Sequence, residues 1–382
     1  MSRIGLIFGS YYEPNRRFIR LTLHEVSVSQ SLKWIWQRAR WPAFTWDTHT
    51  LAPVLRACTQ AQGRLLGMMG AAGNHASAQS ELDALLQNVI TSSAIEGEQL
   101  NVGSVKSSLA RRLGIETDER VTPRSEGLAE LMLDATQQYQ APLTPERLMR
   151  WHSLLFPDSS SLLSNNILVG GLRGSEPMQV VSGRIDRPVV HFEAPPREGL
   201  EKRMDDFFYW FNSSQFDTTL DPLIRAGIAH FWFVTLHPFD DGNGRLTRAI
   251  TDLALAQAEN QAIRFYAMSA SILSSRQEYY RILEASQRGA LDLTAWLSWF
   301  LQTLLHTLDQ AVLRIDRVLA NARFWQQHRK DGLSLEQIKV LNRLLNGDLL
   351  AEKAGTGFEG GISAAQYQAV AKVSKATATR HL

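Results

Sequence analysis

These 382 residues predict a mainly α-helical protein: a helical core with one β-hairpin, a small N-terminal module and a helix-turn-helix-like tail. Three observations carry that expectation. Apolar residues recur at helical spacing along most of the chain, as in Leu82, Leu85, Leu86, Val89 and Ile90. Only Leu172–Pro196 reads as β structure, with strand-like runs at Met178–Val181 and Val189–Phe192 around the turn chemistry of Ser182–Asp186. A hydrophobic content of 44% suits a folded chain, and 382 residues exceed the usual single core.

Composition narrows the function classes. A formal net charge of +2 is too small to argue for nucleic acid or membrane from charge alone. The single cysteine, Cys58, excludes an internal disulfide and a cysteine-rich metal site; its apolar helical context makes it a core residue. No apolar stretch approaches a membrane span, so a cytoplasmic location is the default and no membrane partner is expected.

In chain order, residues 1–31 form an extension that fits poorly with the rest. Arg16, Arg17 and Arg20 are basic, but Ile4–Phe8 is too short for a signal peptide. A short hairpin, a disordered arm and an upstream-start artefact all remain open, and a dispensable extension is favoured. Residues 32–103 form the N-terminal module. It opens with Trp34, Trp36, Trp41 and Trp46, of which Trp34 and Trp36 alternate as on a short strand. They offer either an aromatic surface for a peptide partner or, as favoured, a small core buried against the following helices. Helical patterns follow at Leu51–Ala71 and from Glu81 to a stop at Gly97.

The core is expected over 104–325. Arg111, Arg112, Arg120 and Arg124 lie in a polar stretch expected to be a solvated helix end and loop. Helices are predicted at Gly127–Tyr139, Thr144–Phe156 with proline in its first turn, Gly199–Asn212, Ile228–Leu236, Leu246–Ala258, Ile263–Gln287 and Leu291–Ala322. Residues 331–382 form a separate tail: a helix at Ser334–Leu345, a link at Gly355–Gly361, a helix at Ser363–Lys372 and a third from Lys375. That spacing lets Lys375, Thr377, Thr379 and Arg380 face a groove. The sequence ends inside this third helix with no wing, so DNA binding is not favoured; partner recruitment or a dimer contact is as good a reading.

The densest chemistry is HPFDDGNGRLTR, residues 237–248, between two helical patterns. Asp241-Gly242-Asn243-Gly244 ends one helix and opens the next, whose free N–H groups and positive dipole end make an anion cradle. His237 is a candidate general base, because imidazole titrates near neutrality. Asp241 is a hard oxygen ligand suited to Mg²⁺. Asn243, Arg245 and Arg248 can bind phosphate oxygens, and the two arginines share a helix face.

At His237, Phe239, Asp241, Gly242, Asn243, Gly244, Arg245 and Arg248 this stretch resembles the Fic family signature HxFx(D/E)GNGRxxR. The resemblance implies an α-helical core that transfers AMP from ATP to Ser, Thr or Tyr hydroxyls of a target protein. It also implies roles for the residues. His237 takes the hydroxyl proton, and Asp241 holds Mg²⁺. Asn243, Gly244 and Arg245 bind the α- and β-phosphates, Arg248 binds the γ-phosphate, Gly242 belongs to the same nucleotide-binding turn, and Phe239 anchors the loop.

Two further segments take on meaning by the same resemblance. Ser92, Glu96 and Gly97 match the inhibitory helix (S/T)xxxE(G/N), so Glu96 would pair with Arg248 and exclude the γ-phosphate. Glu96 supporting AMP removal stays open. The hairpin, with Val180, Val181 and Ser182, becomes the flap that registers a target segment by strand addition. A homodimer is expected from family habit alone. Two alternatives stand beside this reading. One is a Fic-type transferase of another nucleotide or of a phosphoryl group; Gly244 argues against the phosphoryl case alone. The other is a DNA-binding regulator with a nucleotide-sensing core.

Overall fold

The computed structural model describes residues 16–20, 33–72, 74–115, 120–157, 167–184, 187–261, 265–346 and 362–382. They are mainly helical, as the sequence predicts. The chain divides into two compact units, one of residues 1–63 and 77–309, the other of 64–76 and 310–382.

The first unit is built around a mostly apolar helix, Pro222–Leu236, with residues 223–236 all buried, among them the polar Arg225, His230 and Thr235. Burial on every face makes it a central rather than a surface helix. Asp221 caps its start by accepting from Leu223 N at 2.8 Å, and Pro222 needs no donor there. The helix Asn243–Glu259 packs along it. Buried His230 ties these two helices and Arg276–Arg288 together, bonding Thr251 Oγ1 at 2.9 Å and Tyr279 Oη at 3.1 Å. Helices Pro123–Gln137 and Pro145–Leu155 pack so closely that a Cβ on Gly127 would lie 2.2 Å from Leu154 O.

Three expected elements change. Trp34 and Trp36 lie on a 3₁₀ turn, Ile35–Gln37, not a strand. The Gln37 side chain accepts from Lys33 N and Trp34 N, both at 2.8 Å, a local closure that alternation cannot reveal. The single helix expected over Ile263–Gln287 is two, Met268–Ser274 and Arg276–Arg288, broken at Ser275; residues 262–264 lie outside the described set. The polar stretch after residue 101 holds a helix, Val102–Arg112, whose Val105, Leu109 and Ala110 are buried.

The sheet comprises strands Arg16–Arg20 (β1), Met178–Arg184 (β2) and Arg187–Glu193 (β3), in the order β1-β2-β3 and antiparallel throughout. β2 and β3 form the predicted hairpin, with a bulge between Val180 and Val181. β1 takes the other edge of β2, setting Phe18 opposite Val180, Arg17 opposite Val181 and Arg16 opposite Ser182. The rest of the 1–31 extension lies outside the described residues.

The second unit includes three short helices, Leu335–Asn346, Ala364–Ala371 and Lys375–His381. Val340, Tyr367, Val370, Ala371 and Ala378 are its buried cluster. Lys372, left-handed at φ 55, stops the middle helix, and Ser374 caps the last by accepting from Thr377 N at 3.2 Å. Lys375, Thr379 and Arg380 are exposed; the Gly355–Gly361 link lies outside the described residues.

Candidate active site

His237 ends the central helix in the left-handed region, φ 47, with its N–H bonded to Phe233 O at 3.2 Å. The chain then turns so that Phe239 is wholly buried, stacked on the His152 ring with centroids 4.2 Å apart. Gly242 takes φ 85, where a side chain would be strained and a Cβ would come 3.0 Å from Leu155 Cδ1. Asn243 fastens the loop at both ends of its amide: Oδ1 accepts from Phe239 N at 2.9 Å and Nδ2 donates to Phe239 O at 2.8 Å. Its side chain is thus committed to loop closure, and what Asn243 can offer an anion is its backbone N–H. The first intrahelical bond of the next helix runs from Leu246 N to Gly242 O at 3.0 Å, so the N–H groups of residues 243–245 precede the ladder.

His237 is a buried imidazole with a fixed tautomer. Nδ1 lies 3.2 Å from Val234 O, and a carbonyl only accepts, so Nδ1 carries the proton and Nε2 keeps its lone pair. Burial pushes its pKa down to about 4, with the nearby Arg173 charge adding to the fall, so the ring is neutral at pH 7. Nε2 is the atom able to act as a base. His237, Val180, His191, Phe192, Val234, Tyr280, Leu283, Glu284 and Gln287 line one cavity beneath the hairpin.

Two residues that support this loop escaped the sequence reading. Fully buried Arg173 donates from Nε to His237 O at 2.9 Å and from Nη2 to Pro195 O, and its own N–H reaches Pro238 O at 2.9 Å. His152 accepts at Nδ1 from Gly170 N at 2.9 Å, so Nε2–H donates to Asp241 O at 3.1 Å. Burial holds His152 at about 4, hence neutral. Nothing local marks either residue, because their partners are backbone atoms far along the chain.

Ser92, Glu96 and Gly97 do meet the cradle. The helix Asn74–Ile95 stops at Gly97, φ 80, with Gly97 N bonded to Ala94 O and Glu98 N to Ser93 O, both at 3.0 Å. That stop delivers Glu96 to Arg248: Nη2 donates to Glu96 Oε1 at 2.8 Å, while Nε and Nη2 donate to Ser92 Oγ and Ser92 O, both at 2.8 Å. The carboxylate lies directly over the helix start, since a Cβ on Gly244 would fall 2.1 Å from Glu96 Oε1.

Asp241 Oδ2 lies 3.5 Å from Arg245 Nη2, and its other oxygen accepts from Gly242 N. It is the carboxylate at the cradle mouth that could hold Mg²⁺; Asp240 turns away, accepting from Leu168 N at 3.1 Å. One carboxylate shared with substrate phosphates is the usual Mg²⁺ arrangement, so these residues fit the ion. Among the described residues no group of three or more His, Cys, Asp or Glu forms an all-protein site.

Arg124, expected in solvent, points into the site instead. It grips Glu98 with two bonds, Nε to Oε1 at 2.8 Å and Nη2 to Oε2 at 2.7 Å, and Arg245 Nη1 reaches the same Oε2 at 2.8 Å. The sequence did carry a signal. Thr122-Pro123 caps and opens the helix Pro123–Gln137, which puts Arg124 in a first turn where the dipole disfavours a cation unless an anion is paired with it.

The hairpin is held by residues remote in sequence. Trp36 Nε1 donates to Glu193 O at 2.7 Å, and buried Trp34 packs edge-on against Phe192 at 5.4 Å. So Trp34 buries against the hairpin rather than against the following helices as favoured; Trp41 does meet a helix, edge-on to Trp232 at 6.4 Å. Arg288 donates to Val190 O at 2.9 Å, and His191 links Ser182 Oγ at 2.6 Å to Glu284 Oε2 at 2.8 Å. Val180 and Val181 lie on β2 as predicted, whereas Ser182, expected in the turn, continues the strand, which runs to Arg184; all three face the chain's own β1.

Against this geometry, residues 142–255 match the Fic/DOC family and residues 34–115 match a domain of unknown function, DUF4172. The chain carries a Fic/DOC family domain. Curated relatives are more distant. A protein adenylyltransferase Fic of Drosophila grimshawi is 25% identical over 240 residues, covering 62% of this chain and 44% of that one. Its Drosophila mojavensis counterpart is 24% identical over 270 residues, covering 70% and 49%. The chain thus spans less than half the length of these relatives. Among solved structures, a Fic family protein from Desulfovibrio desulfuricans aligns over 85% of this chain and 86% of its own, at 19% identity and a TM-score of 0.46. Fic-1 from C. elegans aligns over 72% and 76%, at 18% identity and a TM-score of 0.47. Among the described residues no helix is long and apolar enough to cross a membrane.

Proposed function

We propose that the chain is a Fic-type adenylyltransferase that moves AMP from ATP to a Ser, Thr or Tyr hydroxyl of a target protein, and that it inhibits itself through Glu96. The observation carrying this reading is the Glu96 carboxylate over the amide cradle, paired with Arg248 at 2.8 Å. A site that draws its own anion onto a glycine-bared helix start is built for phosphate, and one guanidinium edge cannot hold both.

In the active state His237 Nε2 accepts the proton of the target hydroxyl. The freed oxygen bonds to the α-phosphorus as the bond to the bridging oxygen breaks, and pyrophosphate leaves. Cradle amides, Arg245 and Arg248 take up the charge that develops there, fixed in place beforehand and shielded from water. Bound by Asp241 with the phosphates, Mg²⁺ would add charge neutralisation at the same oxygens. The target segment would pair with β2 along Val180–Ser182, the edge now paired with Arg16–Arg20.

The test incubates wild type, Glu96→Gly and His237→Ala with a cell lysate, Mg²⁺ and ATP labelled at the α- or γ-phosphate. Label reaching protein from the α-position alone, strongest in Glu96→Gly and absent in His237→Ala, is the expected result. Transfer from the γ-position would make the chain a kinase, and no transfer from Glu96→Gly would overturn ATP as the donor.

A further inference from the structure

We propose that Arg124, Glu98 and Arg245 form a second anion position in the nucleotide site: Glu98 now fills it, and Arg124 becomes a polyphosphate-binding residue when Glu98 withdraws. The proposal deepens the reading above and rests on it for the nucleotide, though not for the anion.

Four observations carry it. Two guanidiniums from different helices converge on one oxygen, Glu98 Oε2, at 2.7 and 2.8 Å, as two arginines converge on a bridging phosphate oxygen. Both guanidiniums sit over the Phe156 ring, Arg124 at 5.7 Å and Arg245 at 5.3 Å from its centroid, so their planes are set before any ligand arrives. Arg245 is only 8% exposed, and its buried Nε has no hydrogen-bond partner among the described residues. A donor of that kind costs free energy unless a ligand uses it. Finally, Glu98 is two residues from Glu96, on the segment that leaves the helix at Gly97.

The last point makes the two carboxylates one device. Glu96 holds Arg248 and Glu98 holds Arg245 and Arg124, so a shift of this short segment removes both anions together. Three guanidiniums now face three carboxylates: Glu96, Glu98 and Asp241. Withdrawal of the first two leaves Asp241 alone against three cations, a charge matched to a polyphosphate. Glu96→Gly by itself would therefore release only part of the site.

The experiment measures inorganic pyrophosphate and ATP affinity by calorimetry, and melting temperature, in Glu96→Gly and in that variant carrying Glu98→Gln, Arg124→Gln or Arg124→Lys. Glu98→Gln is expected to tighten both ligands at least fivefold. Arg124→Gln is expected to weaken both about tenfold, with Arg124→Lys between. Unchanged affinity in Glu98→Gln and Arg124→Gln, with only melting temperature lowered, would make the cluster a structural tether and overturn the proposal. If ATP fails to bind Glu96→Gly while pyrophosphate affinity still follows Glu98 and Arg124, the anion position stands and the nucleotide reading falls.

Discussion

The two elements that meet at His237, the anion cradle and the hairpin, are built differently. The anion side comes from twelve consecutive residues, 237–248, whose turn is closed by Asn243 on Phe239 at its own helix start, although Glu96 and Glu98 hold the arginines. The flap side is assembled from Trp34 and Trp36 near one end of the chain, β2 and β3 in the middle, and Glu284 and Arg288 beyond. A site for a common anion can be local, because amides and guanidiniums recognise any phosphate. A surface that positions one extended segment needs a rigid strand, and a two-stranded hairpin is rigid only when packed against something.

That contrast makes the two sides separable by mutation. The largest effect belongs to His237→Ala, which removes the base and should cut α-label transfer by roughly 10²- to 10⁴-fold while ATP binding, followed by calorimetry, persists. Retained transfer would remove His237 from the chemistry. Next, Glu96→Gly should raise transfer on the order of tenfold or more by freeing Arg248; transfer equal to wild type would break the link between Glu96 and the cradle.

On the flap side, Trp34→Ala should raise KM for a peptide acceptor severalfold, leave KM for ATP unchanged and cost about 3 kcal/mol of stability. A rise in both KM values would show that the two sides are not independent. Deleting residues 1–20 in the Glu96→Gly background should lower KM for the acceptor a few-fold by vacating the β2 edge, an effect read by varying peptide at saturating ATP.

The smallest effect is the response to pH. His237, held at about 4, is neutral well below pH 6.5, so kcat/KM should stay flat from pH 8 to 6. A limb near 6.5 would mean a solvated imidazole. His152 shares this depression, so the unfolded chain binds more protons between pH 6.5 and 4. Stability is therefore present above 6.5 and lost as pH falls toward 4, by about 1 kcal/mol per pH unit for each buried histidine. Chemical denaturation across that range measures it.

The sequence by itself determined the helical class, the hairpin and the 237–248 cradle, because each is written in short-range periodicity, turn chemistry or contiguous side chains. The spacing of the three tail helices was legible for the same reason: Ser363, Lys372 and Ser374 cap or stop them locally. Glu96 became a candidate only through the family resemblance, since alone it reads as a solvated helix residue. Tertiary structure alone decided where those pieces meet. It turned Arg124 from a solvated residue into a partner of Glu98, which Arg245 also holds, and it committed the Asn243 side chain to its own loop. It put Arg173 under His237 and packed Trp34 against Phe192 rather than against a helix. These contacts join residues up to 158 positions apart along the sequence, counted from Trp34 to Phe192. Burial, not neighbouring sequence, sets both their geometry and their charge state, as the neutral His237 and His152 rings show.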